Sequence, residues 1–321
     1  MKTAIVIPNW NGADMIAACL ESLQKQTLKA KIIIVDNGSV DESVQIIERQ
    51  FPEVILIKLA KNTGFAGGVN TGIKYALDHD FEAIALFNND AVAQPDWLKE
   101  LVAQMGKTPK TGITTGKLMR SDKRHIDSTG DFYSTWGISF PRGRNQADTG
   151  QYELVESVFG ASGGASLYRA TMLQEIGLFD ERFFAYFEDV DISFRAQLAG
   201  WDIIYTPKAV AYHHVGATSS KLGDFTRYHS IKNFLILYTK NMPASLYWKY
   251  LPYFLYQFGR TTARSIIDLK PQVWLKSVAV FIGLLPSILR DRRVIQKGRR
   301  RSASQVNGLL HVGRPPKIPQ L

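Results

Sequence analysis

Five consecutive apolar residues, Ala83-Ile84-Ala85-Leu86-Phe87, run without a break into Asn88-Asn89-Asp90. A strand apolar on both faces must be covered on both faces, a situation found where helices flank a mostly parallel sheet. Its neighbours agree. Thr3 to Ile7, Lys31 to Val35 and Val54 to Leu59 are further apolar runs, and Ile16, Leu20 and Leu23 recur between the first two at helical spacing. A second helix is expected at about residues 42–49 and a third ending at Leu77. Strand and helix alternate, which predicts an α/β fold built on a parallel sheet with helices on both faces.

Two of these strands end in polar clusters, Asp36-Asn37-Gly38-Ser39 and Asn88-Asn89-Asp90. The C-terminal edge of such a sheet is where ligands bind. A carboxylate there suits a hard divalent cation shared with substrate phosphate; the same residues also read as an Asx turn that ends the strand. Asn62-Thr63-Gly64-Phe65-Ala66-Gly67-Gly68-Val69-Asn70 reads as a glycine-rich loop leading into the third helix. Its glycines follow the third strand and lack the G-x-G-x-x-G spacing, which disfavours a dinucleotide fold. They either let backbone approach a nucleotide or permit a tight turn.

Between Met119 and Glu156 the periodicity fades into an irregular region with little functional signal. The small residues from Gly160 to Ala165 then suggest backbone crowded against a ligand or a neighbouring strand. Aromatics and acids alternate from Phe179 through Glu188-Asp189-Val190-Asp191 to Arg195. Asp191 and Arg195, four apart, are expected to form a helix-surface ion pair worth a few tenths of a kcal/mol. Glu188 and Asp189 have no local cation, and a carboxylate among apolar rings can serve as a general base. The His213-His214 pair at the end of an apolar strand reads either as a source of a metal ligand or as structural.

The net charge of +10 calls for an anionic partner. The excess concentrates late, in Arg290, Arg292, Arg293, Lys297, Arg299, Arg300 and Arg301. Cys19 is the single cysteine, which excludes a disulfide framework and a cysteine zinc site and fits a reducing cytoplasm. The N-terminus enters a strand directly and offers no signal peptide.

Taken in order, Pro8-Asn9-Trp10-Asn11-Gly12, Val35 to Ser39, Asn62 to Asn70, Asn88-Asn89-Asp90, Phe179 to Asp191 and His213-His214 resemble the inverting family-2 glycosyltransferases of the GT-A fold. The likeness is strongest to the rhamnosyltransferase-like bacterial branch that builds surface polysaccharides, and it covers roughly residues 3–219. It implies a nucleotide-sugar donor, dTDP-L-rhamnose foremost with UDP- and GDP-sugars open, a glycan or polyprenyl-linked acceptor, and Mg2+ or Mn2+. Asp36 would contact the base, with Pro8, Asn9, Asn11 and Asn37 beside it. Gly64, Phe65, Gly68 and Asn70 would flank the donor together with Asn88 and Asn89. Asp90 matches the last aspartate of the family's metal motif. Asn88 stands where many relatives carry aspartate, so Asp90 would be the single carboxylate ligand, with His213 or His214 as the second. Asp189 matches the catalytic base, with Glu188 adjacent. A sugar nucleotidyltransferase would need a basic glycine-rich loop where Pro8-Asn9-Trp10-Asn11-Gly12 stands. A non-catalytic binder of anionic polymer would leave Asp36, Asp90 and Asp189 unexplained, and no nucleic-acid partner is expected.

Two domains are expected, a catalytic one over residues 1–220 and a helical extension over 221–321. The extension is aromatic between Leu246 and Phe258 and apolar from Val273 to Leu289, but Lys276 and Pro286 keep that second run short of a membrane span. A helix lying on an anionic membrane surface is expected instead, at the inner face of the cell membrane and followed by a basic tail. Removing residues 290–321 should then release the protein from vesicles and spare catalysis.

Overall fold

The computed structural model describes residues 1–214 and 223–320. The N-terminal part alternates as β1 (Thr3–Asn9), α1 (Ile16–Gln24), β2 (Lys31–Asp36), α2 (Ser43–Gln50), β3 (Ile55–Lys58), α3 (Gly64–Asp78) and β4 (Ala83–Phe87). β1 pairs in parallel with both β2 and β4, and β2 with β3. Along β1 the faces alternate. Ile5 and Ile7 join Leu20, Leu98 and Leu101 on one side of the sheet, and Ala4 and Val6 join Val69, Ile73 and Ile192 on the other. Both faces are covered, as the unbroken apolar run of β4 requires, and each large aliphatic so buried contributes about 1.5–3 kcal/mol.

Next come β5 (Ala91–Ala93), α4 (Trp97–Gly106), β6 (Thr111–Arg120), β7 (Ile126–Ser128), β8 (Asp131–Tyr133), β9 (Ser139–Pro141) and β10 (Glu156–Ser157). They are followed by β11 (Ala165–Arg169), α5 (Ala170–Ile176), α6 (Glu188–Leu198) and β12 (Asp202–His213). The sheet is mixed rather than parallel throughout, because β11 inserts antiparallel between β4 and β6. That insertion sets the end of β4 opposite the start of β11, with Phe87 facing Ala165, so the two polar segments Asn88–Asp90 and Ser162–Gly164 meet at one edge.

Helices α7 (Gly223–Asn241), α8 (Ala244–Ile267), α9 (Pro271–Lys297) and α10 (Ala303–Leu309) complete the chain. The expected domain boundary after Ser220 lies outside the described residues. The helices share a core with the catalytic part: Tyr133, Phe159, Phe183 and Phe194 pack with Leu235, Tyr238, Met242, Phe254, Ile288 and Val306. Pro286 does not interrupt α9, whose 27 residues carry an 18-residue window of mean hydropathy 1.6 that is only 11% buried. The helix is therefore long and apolar enough to cross a membrane, contrary to expectation. An interior proline forfeits one backbone hydrogen bond, but Ile288 is fully buried beyond it, and Ser277 Oγ donates to Tyr228 O to hold the helix on α7.

The basic tail differs from expectation in a second respect. Arg292 donates to Thr239 O at 2.7 Å, and Arg301 donates to Gln197 O and Trp201 O and pairs with Asp202. α10 buries Val306, and Tyr250 Oη donates to Asn307 Oδ1. Removing residues 290–321 would strip these groups from the core, so the deletion cannot isolate membrane binding. Arg290, Arg293 and Lys297 are exposed on α9 and can be changed instead. The triple glutamine substitution is expected to weaken binding to anionic vesicles by about 1 kcal/mol per charge removed, with an unchanged melting temperature. Vesicle flotation at low salt checks this.

Candidate active site

The C-terminal ends of β1, β2 and β4 open into a cleft of 340 Å³. Its walls bring together Pro8, Asn9, Asn37, Gly64, Phe65, Asn88, Asn89, Asp90, Glu188, Asp189 and His213, drawn from segments far apart in the chain. Amides brace the floor. Asn9 Nδ2 donates to Asp36 Oδ1 at 3.1 Å and to Ser43 Oγ at 3.0 Å, and Asn9 Oδ1 accepts from Asn89 Nδ2 at 2.8 Å. Asn37 Nδ2 donates to Gly64 O while Thr63 N donates to Asn37 Oδ1, tying β2 to the start of α3. Asp36 is buried beneath this layer and also accepts from Ser39 N.

The glycine-rich stretch is the beginning of α3 rather than a loop. Gly64 has φ +77°, and a Cβ on it would come within 2.4 Å of Phe184 O. Only glycine lets the helix start so close to the segment that carries the acids. Besides Asp36, four expected residues lie outside the cleft wall. Gly68 packs against Pro8 and Asn37, where a Cβ would be 3.4 and 3.2 Å away. Asn70 exchanges two hydrogen bonds with the backbone of Phe179, at 2.8 and 3.0 Å, and so fastens α3 to the segment preceding α6. Asn11 accepts from Val40 N, and His214 is exposed, its backbone N donating to Asp90 O.

His213 is the histidine that faces Asp90. Its Nε2 lies 3.1 Å from Asp90 Oδ1, and its Nδ1 lies 2.9 Å from Asp127 Oδ2. Burial alone would depress this imidazole, yet the bonds to Asp127 and Asp90 raise it to about 9. Asp90 Oδ1 is buried and, the His213 contact aside, has no hydrogen-bond partner among the described residues. A carboxylate and an imidazole meeting at a cleft, the imidazole oriented by a further carboxylate, suit a divalent cation that completes its shell with phosphate oxygens and water. Among the described residues no group of three or more His, Cys, Asp or Glu side chains could hold a metal alone. Substrate oxygens would therefore be part of the set.

Across the cleft, α6 begins at Glu188 after a run of left-handed residues, Phe184 (φ 66°), Tyr186 (φ 70°) and Phe187 (φ 69°). Such backbone costs about 1–3 kcal/mol per residue and needs support. Asn233 of α7 supplies it, its Nδ2 within 2.7–2.9 Å of Phe183 O, Ala185 O and Tyr186 O. Removal from water raises the Asp189 carboxyl, while Gly163 N at 3.1 Å and Val190 N at 2.8 Å pull it back down. Glu188 is buried, its Oε2 has no hydrogen-bond partner among the described residues, and burial followed by the Asp189 charge pushes it far above the usual carboxylate range. Asp189 is the better stabilised anion of the two and stands at the helix N-terminus.

A second cavity of 320 Å³ shares Ser162, Tyr186, Glu188 and Asp189 with the cleft and is lined further by Asp127, Asp131, Arg144 and Ser230. Asp189 therefore faces two spaces. Removal from water and the nearby Asp189 charge raise Asp131 to about 7. Asp127, Asp131 and Arg144 come from the region that carried little signal in the sequence, and Asn233 lies in an ordinary helical stretch. No local spacing marks any of them.

Asp191 is not a surface residue. It is fully buried, with Oδ2 accepting from Arg195 Nε at 2.8 Å and Lys240 Nζ at 3.0 Å, and Oδ1 accepting from Asn241 Nδ2 at 2.8 Å. Lys240 also reaches Asp180 at 2.6 Å. The expected surface pair is thus a buried network that joins α6 to the end of α7.

A half-parallel sheet with polar strand ends, a carboxylate–imidazole pair and an acidic helix start around one cleft define a GT-A fold. The chain belongs to glycosyl transferase family 2, whose model matches residues 4–177, and it is a glycosyltransferase. It is 29% identical over 231 residues to N-acetylglucosaminyl-diphospho-decaprenol L-rhamnosyltransferase of Mycobacterium tuberculosis, covering 65% of this chain and 75% of that protein. Poly-beta-1,6-N-acetyl-D-glucosamine synthase of Staphylococcus epidermidis is 26% identical over 215 residues, covering 65% of this chain and 49% of that protein. Among solved structures, residues 1–349 of S. aureus TarS superpose with a TM-score of 0.59 at 18% identity, covering 96% of this chain and 89% of that one. A mannosyltransferase from Pyrobaculum calidifontis in complex with GDP-Man and Mn2+ gives 0.56 at 14% identity, covering 96% and 85%. These likenesses carry the fold.

Proposed function

We propose that this glycosyltransferase moves L-rhamnose from dTDP-L-rhamnose, with inversion, onto a glycan or polyprenyl-linked acceptor of a bacterial surface polysaccharide, working at the inner face of the cell membrane. The observation that carries the reading is that Asp189 lines two adjoining cavities. A donor in the larger cleft would present its anomeric carbon toward Asp189, and an acceptor hydroxyl in the smaller one would lie on the other side. Asp189 takes the hydroxyl proton as the oxygen attacks the anomeric carbon and the bond to the diphosphate breaks; a single displacement inverts the centre. The proton stays on the aspartate and the electron pair leaves with the nucleotide diphosphate. Asp90 and His213 would hold Mg2+ or Mn2+, which supplies charge neutralisation for the leaving diphosphate. The likeness to the mycobacterial rhamnosyltransferase supports the choice of donor and of a diphosphate-linked acceptor.

Thermal-shift screening of nucleotide-sugars with and without manganese tests this, with dTDP-L-rhamnose expected to stabilise most and a UDP- or GDP-sugar overturning the donor assignment if it stabilises more. Asp90→Ala should abolish the manganese-dependent part of donor binding in calorimetry and leave the melting temperature of the free protein near wild type. Undiminished metal-dependent affinity in that variant would remove Asp90 from the metal site.

A further inference from the structure

We infer that the cavity between α7 and α8 seats the diphosphate of a lipid-linked acceptor, so that the C-terminal helices hold the acceptor's anionic link while its sugar reaches Asp189. This rests on the reading of the chain as a transferase to a polyprenyl-linked acceptor and adds a place for the phosphates.

The cavity measures 640 Å³ and is lined by Arg227, Arg260 and Arg264, with Asp268 as the acid among them. Three cations against one anion leave two positive charges uncompensated. Asp268 Oδ2 accepts from Arg227 Nη2 at 2.6 Å and from Arg264 Nε at 3.0 Å, while among the described residues Arg260 has only the Gln257 amide oxygen at 3.3 Å. Arg227 Nη1 is buried without a hydrogen-bond partner among the described residues. A desolvated guanidinium N–H left without an acceptor is unfavourable, and a phosphate oxygen satisfies it. Arginine's planar fork matches phosphate geometry better than a surface lysine would.

Position selects the source of that phosphate. Ser230 lines both this cavity and the one beside Asp189. The first turns of α7 also place Phe225 in the donor cleft and Thr226 Oγ1 3.1 Å from Tyr186 Oη. One short piece of helix therefore borders the donor cleft, the cavity behind the base and the arginine cavity. A sugar whose hydroxyl meets Asp189 can extend its anomeric diphosphate past Ser230 to the arginines. Beyond them, Ile267 at the rim is 71% exposed and Leu269 is 82% exposed, and α9 presents Leu275 and Ile282. These apolar groups suit the hydrocarbon that follows the diphosphate in such an acceptor. A bulk anionic phospholipid would use the charge but has no need of the passage to Asp189.

The test uses the whole chain and neutral phosphatidylcholine vesicles doped with farnesyl diphosphate, with farnesol, or with phosphatidylglycerol at matched negative charge. Binding to farnesyl diphosphate vesicles is expected to be about tenfold tighter than to the phosphatidylglycerol ones, and Arg260→Gln combined with Arg264→Gln is expected to lose about that factor. Melting temperature and affinity for dTDP should be retained, since both side chains lie away from the donor cleft. Equal binding to the two anionic vesicles would overturn the proposal in favour of a generic membrane surface. Full retention of the preference by the double variant would overturn it as well. Failure of the parent reading shows elsewhere, as absence of sugar transfer by the wild-type chain from any nucleotide-sugar.

Discussion

Asp189→Asn is expected to lower turnover by about 10² to 10⁴, the range for loss of a general base, while donor affinity stays near the wild-type value. The amide keeps the size of the side chain, and its one oxygen can still accept from either Gly163 N or Val190 N, which bond separate oxygens of the carboxylate. What it cannot do is take a proton from an acceptor hydroxyl. Glu188→Gln provides the contrast. Glu188 is buried, and burial followed by the Asp189 charge favours its protonated form, which has no acceptor site for a further proton. Its amide variant should keep most of the turnover. Turnover and donor affinity measured for both variants decide the point. Near-normal rates in Asp189→Asn together with a collapse in Glu188→Gln would transfer the base assignment to Glu188.

Two residues further on, the same chemical change should have a different consequence. Asp191→Asn is expected to cost about 3–5 kcal/mol of stability, as breaking a buried ion pair does, instead of the few tenths a surface pair would forfeit. Arg195 and Lys240, both almost fully buried, would lose a shared counter-charge. Denaturant unfolding measures this, and a loss below 1 kcal/mol would return the pair to the surface class. The network also has a pH signature. Burial alone would raise Asp191, but Lys240 and Arg195 hold it below the usual carboxylate range; Asp180 is lowered in the same way by Arg182 and Lys240. A carboxyl depressed in the folded state contributes fully above its unfolded value of about 3.9 and progressively less as the pH falls toward the folded value. Acid unfolding of the wild type should therefore be steeper than that of Asp191→Asn below about pH 4.

The contrast between these two aspartates shows where reading the chain in one dimension stops. Both sit in one helical turn, and spacing alone assigns Asp191 to Arg195 with no information about depth. Lys240 and Asn241, which turn that pair into a network, are some fifty positions away. The same holds for His213. An adjacent histidine pair is visible as a candidate, but which ring faces Asp90 depends on the pleat of β12 and on Asp127 from an aperiodic region.

The sequence by itself determined the α/β class, the covered β4 strand, the polar strand ends at Asp36 and Asp90 and the acidic start of α6. Each of these is written in a run of a few adjacent residues, through apolar periodicity and turn chemistry that need no partner from elsewhere. Only the tertiary structure decided that β11 enters antiparallel, that Gly68 and Asn70 serve packing while Asn37 and Gly64 line the cleft, and that the basic tail is largely folded onto the catalytic core. It alone placed Asp127, Asp131 and Asn233 at the site. These outcomes rest on which distant segments share a buried volume. A buried charge or carbonyl must find its counterpart wherever the fold brings one within about 3 Å, however far away that counterpart lies in the chain.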